Sequence, residues 1–262
     1  RAAGVKLFFE IAGSGEPPSR LIHGWTGDAS SYWSEIVTRL RDEFTIIAYD
    51  QRGFGRSAAQ IDRFDIAELA RDAALLLEHV QRGPVTVVGL SLGGLVAQQL
   101  AADRPDLVAR LVVAASAPRI SPRLQLMSKV LQTATATRDP GLLFDLNLLL
   151  AHGEAFLTTH ADDIATRRKR FVAEARPWYG SALTEPAEWQ GVARDRITCP
   201  TLLIYGDEDA ELPLRYAREL QAGIPGSQLT VFAGTEHKCA EAHPDHSAAA
   251  IPPFPPHITP HN

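Results

Sequence analysis

Residues 85–105 read VTVVGLSLGGLVAQQLAADRP, and this stretch decides the fold. Its first residues, 85–88, are rich in β-branched side chains and predict a buried strand. Apolar residues then recur at helical spacing from Leu92 to Leu100, and a proline ends the predicted helix. The strand and the helix therefore meet at Ser91, which has a glycine two positions away on each side so that the two backbones can pass closely.

A serine at such a corner has chemical consequences. The turn pushes its side chain outward, so we expect the Ser91 hydroxyl to stand exposed above the N-terminus of the following helix. The free backbone N–H groups and the helix dipole there favour the negative charge that develops during acyl transfer. This predicts Ser91 as a nucleophile and the backbone N–H of Leu92 as one donor to an oxyanion.

Strand candidates alternate with helical segments along most of the chain. In order, they are VKLFFEIAG, RLIHG, FTIIAYD, VTVVG, LVARLVVAAS, PTLLIYG and QLTVFAG. Such alternation predicts an α/β fold, in which a mostly parallel central sheet is covered by helices on both faces. Functional residues in such sheets lie at the carboxyl ends of the strands.

The alternation stops between residues 118 and 194, where helical patterns follow one another without a strand. We therefore expect a core domain formed by residues 1–117 and 195–262, with residues 118–194 as an inserted helical cap. Leucines in this segment favour packing within a core, although a cap over the sheet edge also suits the lining of an acyl pocket. They are Leu142, Leu143, Leu146, Leu149 and Leu150.

The composition excludes several classes of protein. The chain has 262 residues, of which 45% are hydrophobic and 22% charged, as is ordinary for a soluble globular protein. A net charge of −5 offers no basic surface for nucleic acid, and the apolar stretches are too short to span a membrane. Cys199 and Cys239 are too few for a disulfide framework and lack zinc-ligand spacing, so a reduced, cytoplasmic protein is expected.

A serine nucleophile needs a base, an acid that orients the base, and donors to the oxyanion. His237 follows the last predicted strand, and Asp209 follows the strand before it. Trp25, in the segment LIHGW after an earlier strand, offers a second oxyanion N–H beside that of Leu92. All of these candidates follow strands, where a shared site is expected.

The acid must be selected from several carboxylates in GDEDAE at 206–211. Asp207 is so close to the strand end that we expect it to brace the turn. Pro213 suits the start of the next helix, which places Glu211 beyond the site. Asp209 is therefore predicted as the acid that faces His237.

Motifs along nearly the whole chain resemble those of the α/β-hydrolase family and occur in the family's order. They are HGW at 23–25, YDQRGFGRS at 49–57, GLSLGG at 89–94, PTLLIYGDEDAELP at 200–213 and AGTEH at 233–237. The resemblance implies that Ser91 is the nucleophile, that His237 is general base and then acid, and that Asp209 orients it. It also implies an oxyanion hole formed by the N–H groups of Trp25 and Leu92.

Other polar residues near these motifs have structural interpretations. His23 is expected to support the oxyanion loop, and Asp50 and Arg52 to brace their turn. His243 and His246 have the spacing of a metal pair, but no carboxylate or cysteine pattern surrounds them, so no metal site is expected.

The chain departs from the family pattern at two places. Glu236 stands directly before the predicted catalytic histidine, where family members commonly have glycine, which puts the shape of the loop and the basicity of His237 in question. Prolines at 252, 253, 255 and 256 forbid a normal helix where the family usually ends with one.

The resemblance implies hydrolysis of a small-molecule carboxylic ester through a serine acyl-enzyme, with no metal or organic cofactor. Serine at position 91 argues against the dehalogenase and epoxide hydrolase branches, whose nucleophile is a carboxylate. The motifs also resemble cofactor-free haloperoxidases, which make peracids, and enol-lactone hydrolases, so these alternatives stay open. A ligand receptor on the same scaffold is the alternative outside the enzymes.

Overall fold

The computed structural model describes residues 6–15, 19–22, 29–57, 65–80, 83–173, 189–239 and 243–250. The strands in these residues are β1 (Phe9–Ala12), β2 (Ser19–Ile22), β3 (Ile46–Tyr49), β4 (Val85–Leu90), β5 (Val108–Ala114), β6 (Thr201–Gly206) and β7 (Gln228–Phe232). They form one sheet in the order β1-β3-β2-β4-β5-β6-β7. Only β1, on β3, pairs antiparallel, and the other described pairings are parallel. The predicted α/β fold with a mostly parallel sheet is confirmed.

Helices pack on both faces of this sheet. On one face lie α1 (Ala29–Leu40) and α9 (Pro244–Ala250). On the other lie α2 (Ile66–Val80), α3 (Leu92–Asp103) and α8 (Arg215–Gly223). Each face carries its own cluster of buried apolar side chains, so the sheet separates two halves of the core.

The side chains of β4 show how the sequence produces this arrangement. Val85 and Val87 belong to the cluster under α2 and α3, whereas Val88 and Leu90 pack with Trp33 of α1. Successive residues of a strand point to opposite faces, and here both faces are covered. Every residue of β4 is therefore buried, which explains its nearly unbroken apolar sequence.

Residues 122–173 contain helices with no strand between them. They are α4 (Pro122–Ala136), α5 (Pro140–Ala151), α6 (Glu154–Thr159) and α7 (Ala161–Ala173). The side chains of Ser121 and Asp139 accept hydrogen bonds from the first backbone N–H groups of α4 and α5, which fixes where these helices begin. The division of the chain into a core and a cap at residues 118–194 stays a proposal, which this run of helices supports.

The leucines of α5 do not all pack in a core, so that expectation is wrong for part of the set. Leu143 is 3% exposed, but Leu142 is 38% and Leu149 66% exposed. The reason is that α5 is apolar on all sides, whereas it contacts its helical neighbours α4 and α7 over only part of its surface. In the described part of the chain, no helix combines the length and apolar character needed to cross a membrane.

Asp50 and Arg52 brace the turn after β3, as predicted. The buried carboxylate of Asp50 accepts hydrogen bonds from the backbone N–H groups of Ala29, at 3.0 Å, and Arg56, at 2.8 Å. The guanidinium of Arg52 donates to both carboxylate oxygens of Asp72, at 2.7 and 2.8 Å. These contacts join the turn to α1 and α2 near the carboxyl end of β3.

Candidate active site

Ser91 occupies the turn between β4 and α3. Its φ of 55° and ψ of −118° lie outside the regions that L side chains usually adopt. The Ser91 N–H donates to the carbonyl of Ala114 at 2.9 Å, and the Ser91 carbonyl accepts a hydrogen bond from Ser116 Oγ at 2.7 Å. A Cβ at Gly89 would lie 2.2 Å from the carbonyl oxygen of Gly93. The turn is therefore strained and tightly held, as is typical of a catalytic nucleophile at such a corner.

The Ser91 residue is 7% exposed as a whole, and the exposure of its hydroxyl stays a prediction. Segments distant in sequence meet near this edge of the sheet. Arg123 of α4 donates a hydrogen bond to the carbonyl of Ala210, in the loop after β6. The N–H of Gly153, between α5 and α6, donates to Glu236 Oε1 at 2.9 Å, in the loop after β7. The strand ends thus meet the helical segment rather than open solvent.

Of the two predicted oxyanion donors, the structure describes Leu92 but not Trp25. Leu92 is the first residue of α3, so its N–H belongs to the group that has no acceptor within the helix. Trp25 and His23 lie outside the described residues, and their roles stay predictions.

Asp209 and His237 are brought together by the neighbouring loops after β6 and β7. His237 Nδ1 lies 2.9 Å from Asp209 Oδ2, and both residues are buried. The other carboxylate oxygen of Asp209 accepts a hydrogen bond from the Leu212 N–H at 2.7 Å, which fixes the orientation of the carboxylate. This is the geometry in which a carboxylate selects one tautomer of an imidazole and leaves its Nε2 for chemistry.

The other carboxylates of this loop have different positions. Asp207 is exposed and accepts a hydrogen bond from the Thr235 N–H at 3.4 Å, so it braces the turn as predicted. Glu211, however, does not lie beyond the site, because its Oε2 is 3.5 Å from His237 Nε2. The prediction failed because the hydrogen bond from the Leu212 N–H to Asp209 closes a turn that keeps Glu211 beside His237, although α8 begins close to its predicted start.

Two carboxylates therefore flank the imidazole and change its proton affinity. Burial alone would lower the pKa of His237, but Glu211 and Asp209 outweigh burial and raise this pKa to about 9. Burial raises the pKa of the Glu211 carboxyl, and the neighbouring His237 opposes that rise. The two carboxylates therefore favour the protonated form of the ring.

The remaining candidates have structural partners. Glu236 turns toward Gly153 rather than toward the imidazole, and His243 Nε2 lies 2.7 Å from Thr235 Oγ1. The side chain of His246 and the prolines from 252 to 256 lie outside the described residues. Where the structure does describe the chain, no group of three His, Cys, Asp or Glu residues is arranged to hold a metal ion.

Comparison with known proteins decides the family. The model of the alpha/beta hydrolase fold matches residues 21–244. The chain belongs to the α/β hydrolase family. A pimeloyl-[acyl-carrier protein] methyl ester esterase of Vibrio cholerae is 31% identical to this α/β hydrolase over 246 residues, which are 89% of this chain and 91% of that protein.

Solved structures agree with this assignment. A thermophilic esterase from Thermogutta terrifontis has a TM-score of 0.81 at 28% identity, covering 94% of this chain and 92% of the other. An enol-lactonase from Burkholderia xenovorans has a TM-score of 0.84 at 25% identity, covering 95% and 96% of the two chains. The general activity of this α/β hydrolase is therefore that of a hydrolase.

Proposed function

We propose that this α/β hydrolase cleaves small-molecule carboxylic esters through an acyl-enzyme formed on Ser91. The observation that carries the proposal is the 2.9 Å contact between His237 Nδ1 and Asp209 Oδ2. It occurs at the same edge of the sheet at which Ser91 occupies its strained turn. A nucleophile, a base and an acid that orients the base are the groups that this chemistry requires.

The reaction follows from these groups. His237 Nε2 takes the proton of the Ser91 hydroxyl while the oxygen attacks the ester carbonyl, and Asp209 stabilises the imidazolium that forms. The oxyanion accepts a hydrogen bond from the Leu92 N–H, with the Trp25 N–H as the proposed second donor. His237 then gives its proton to the leaving alkoxide as the C–O bond breaks, and Ser91 is left acylated.

Water completes the cycle. His237 Nε2 removes a proton from a water molecule, which attacks the acyl carbonyl, and the carboxylic acid leaves as the proton returns to Ser91. Each step uses groups of the chain and water alone. The esterase activity named for the relatives from Vibrio and Thermogutta supports this reading. The likeness to an enol-lactonase favours cyclic esters as a second substrate class, since they react by the same steps.

Turnover of 4-nitrophenyl acetate tests the proposal. Ser91→Ala removes the nucleophile and is expected to lower kcat by about 10⁴-fold or more. A fluorophosphonate probe should label the wild type and leave the variant unlabelled, while circular dichroism shows that both are folded.

Two results would overturn the proposal. One is a folded Ser91→Ala protein that keeps more than a tenth of the wild-type rate. The other is a wild type that reacts with the probe but turns over neither esters nor lactones, which would favour a receptor on the same scaffold.

A further inference from the structure

Glu211 is a residue of the site that the proposed reaction does not use. Its Oε2 lies 3.5 Å from His237 Nε2, and its side chain is only 15% exposed. Asp209 accepts hydrogen bonds from Leu212 and His237. The Glu211 carboxylate faces the His237 ring, and the guanidinium of nearby Arg123 donates to the carbonyl of Ala210.

Glu211 lies near the place that the leaving alcohol of an ester must occupy. His237 Nε2 is the atom that gives its proton to the leaving oxygen, which must then lie about 3 Å from it. Because Oε2 is 3.5 Å from Nε2, the leaving oxygen lies at most about 6.5 Å from Glu211. Substituents on the first carbon atoms of the alcohol are therefore brought close to this carboxylate.

We propose that Glu211 determines specificity for esters whose leaving alcohol carries a positive charge close to the ester oxygen. This inference rests on the ester hydrolysis proposed above. A cation at this point pairs with a carboxylate that has little contact with solvent and lies 3.5 Å from His237 Nε2. The attraction between opposite charges is strong in such a place because little water screens it.

A bound cation also acts on His237. Burial lowers the pKa of this ring, Glu211 and Asp209 raise it by a larger amount, and Lys238 opposes them. Arg123 and Lys238 are the cations that act on Glu211 in addition to His237. A substrate cation that neutralises the field of Glu211 lowers the pKa of His237 and releases the neutral ring that the reaction needs. Cationic esters therefore gain in kcat as well as in KM.

The test compares two acetate esters of the same shape. In 3,3-dimethylbutyl acetate a neutral carbon replaces the quaternary nitrogen of acetylcholine. We expect the wild type to have a kcat/KM for acetylcholine at least about tenfold above that for the neutral ester. Glu211→Gln is expected to bring the ratio close to one, and since the ratio is measured within one protein, a general loss of activity cancels.

Glu208→Gln is the matched control. Glu208 is an exposed residue of the same loop, so its substitution removes the same charge without touching His237. This variant is expected to keep the wild-type ratio, which separates a local contact from the net charge of the loop.

Each remaining outcome is decisive. A wild-type ratio near one, a cation preference that survives in Glu211→Gln, or an equal loss in Glu208→Gln overturns the inference. Cleavage of 4-nitrophenyl acetate without cleavage of acetylcholine also overturns it, whereas failure to cleave any ester overturns the proposed function itself. The wild-type comparison stands even where Glu211→Gln does not fold, and Glu211→Ser is then the second variant.

Discussion

His237 has a carboxylate near each of its ring nitrogens, and the two carboxylates act differently. Asp209, 2.9 Å from Nδ1, favours the tautomer with a proton on that nitrogen, as the proposed reaction requires. Glu211, 3.5 Å from Nε2, stabilises the protonated ring and so opposes its use as a base. The contact of His237 with Asp209 is therefore one that the proposed reaction needs, whereas its contact with Glu211 reduces the ability of the ring to accept a proton.

The pH dependence of activity should report the second contact. His237 acts as a base only when neutral, and its pKa is raised to about 9, so kcat/KM for a neutral ester is expected to rise with pH through that region. Glu211→Gln removes one of the carboxylates that raise the pKa, and the rise should move to lower pH. Hydrolysis of ethyl acetate in a pH-stat measures it, and an unchanged profile would contradict the assignment.

The choice of acid is tested by two asparagine variants. Asp209→Asn is expected to lower kcat by about 10²- to 10⁴-fold, because the amide no longer sets the tautomer or stabilises the imidazolium. Asp207→Asn should keep most of the activity, since Asp207 is exposed and its carboxylate accepts a hydrogen bond from the Thr235 N–H rather than from His237. An inactive, folded Asp207 variant beside an active Asp209 variant would reverse the assignment.

The sequence predicted the positions of Asp209 and His237 but not that of Glu211. Asp209 and His237 follow strand ends, and parallel strands bring such positions to one edge, so the sequence was enough to pair them. Glu211 was placed wrongly, because its position depends on the turn that the Leu212–Asp209 hydrogen bond closes, and the sequence did not show that turn. The one feature of the sequence that could have indicated Glu211 as part of the site was its carboxylate, two residues after Asp209.

At the scale of elements, the turn from β4 to α3 holds Ser91 in its strained conformation. Hydrogen bonds from the Ser91 N–H to Ala114 and from Ser116 Oγ to the Ser91 carbonyl tie the turn to β5 and to the residues that follow it. Tyr205 of β6 extends this connection, since its hydroxyl donates to the Ser116 carbonyl at 2.7 Å and accepts from the Ser116 N–H at 3.0 Å. The strand before Asp209 is therefore linked to Ser91 through a buried network.

Gly89→Ala should show how tightly this turn is built. The new methyl group would lie 2.2 Å from the carbonyl oxygen of Gly93, so strand and helix must move apart. We expect a loss of about 2–4 kcal/mol in the free energy of unfolding, measured by urea titration. Gly83→Ala is the control, because a Cβ there meets no atom within 4 Å, and its stability should change by less than about 1 kcal/mol. Equal effects of the two substitutions would show that close packing at the turn is not the cause.

At the scale of the whole molecule, the sheet was predictable and the helical segment was so only in part. Buried strands such as β4 carry apolar residues on both faces, and this pattern is local in the sequence. The exposure of Leu142 and Leu149 is not local, since it depends on how α5 lies against α4 and α7. The contacts of Arg123 with Ala210 and of Gly153 with Glu236 are not local either, because each joins segments distant in sequence.

The most direct measurement is the mass of the intact protein, quenched with acid during turnover of 4-nitrophenyl acetate. We expect a species heavier by one acetyl group, and peptide mapping should place the acetyl group on Ser91. The Ser91→Ala protein should show neither the acetyl group nor turnover above the uncatalysed rate of hydrolysis. Rapid turnover by a Ser91→Ala protein, or an acetyl group that maps to another residue and is released at the rate of turnover, would show that Ser91 is not the nucleophile.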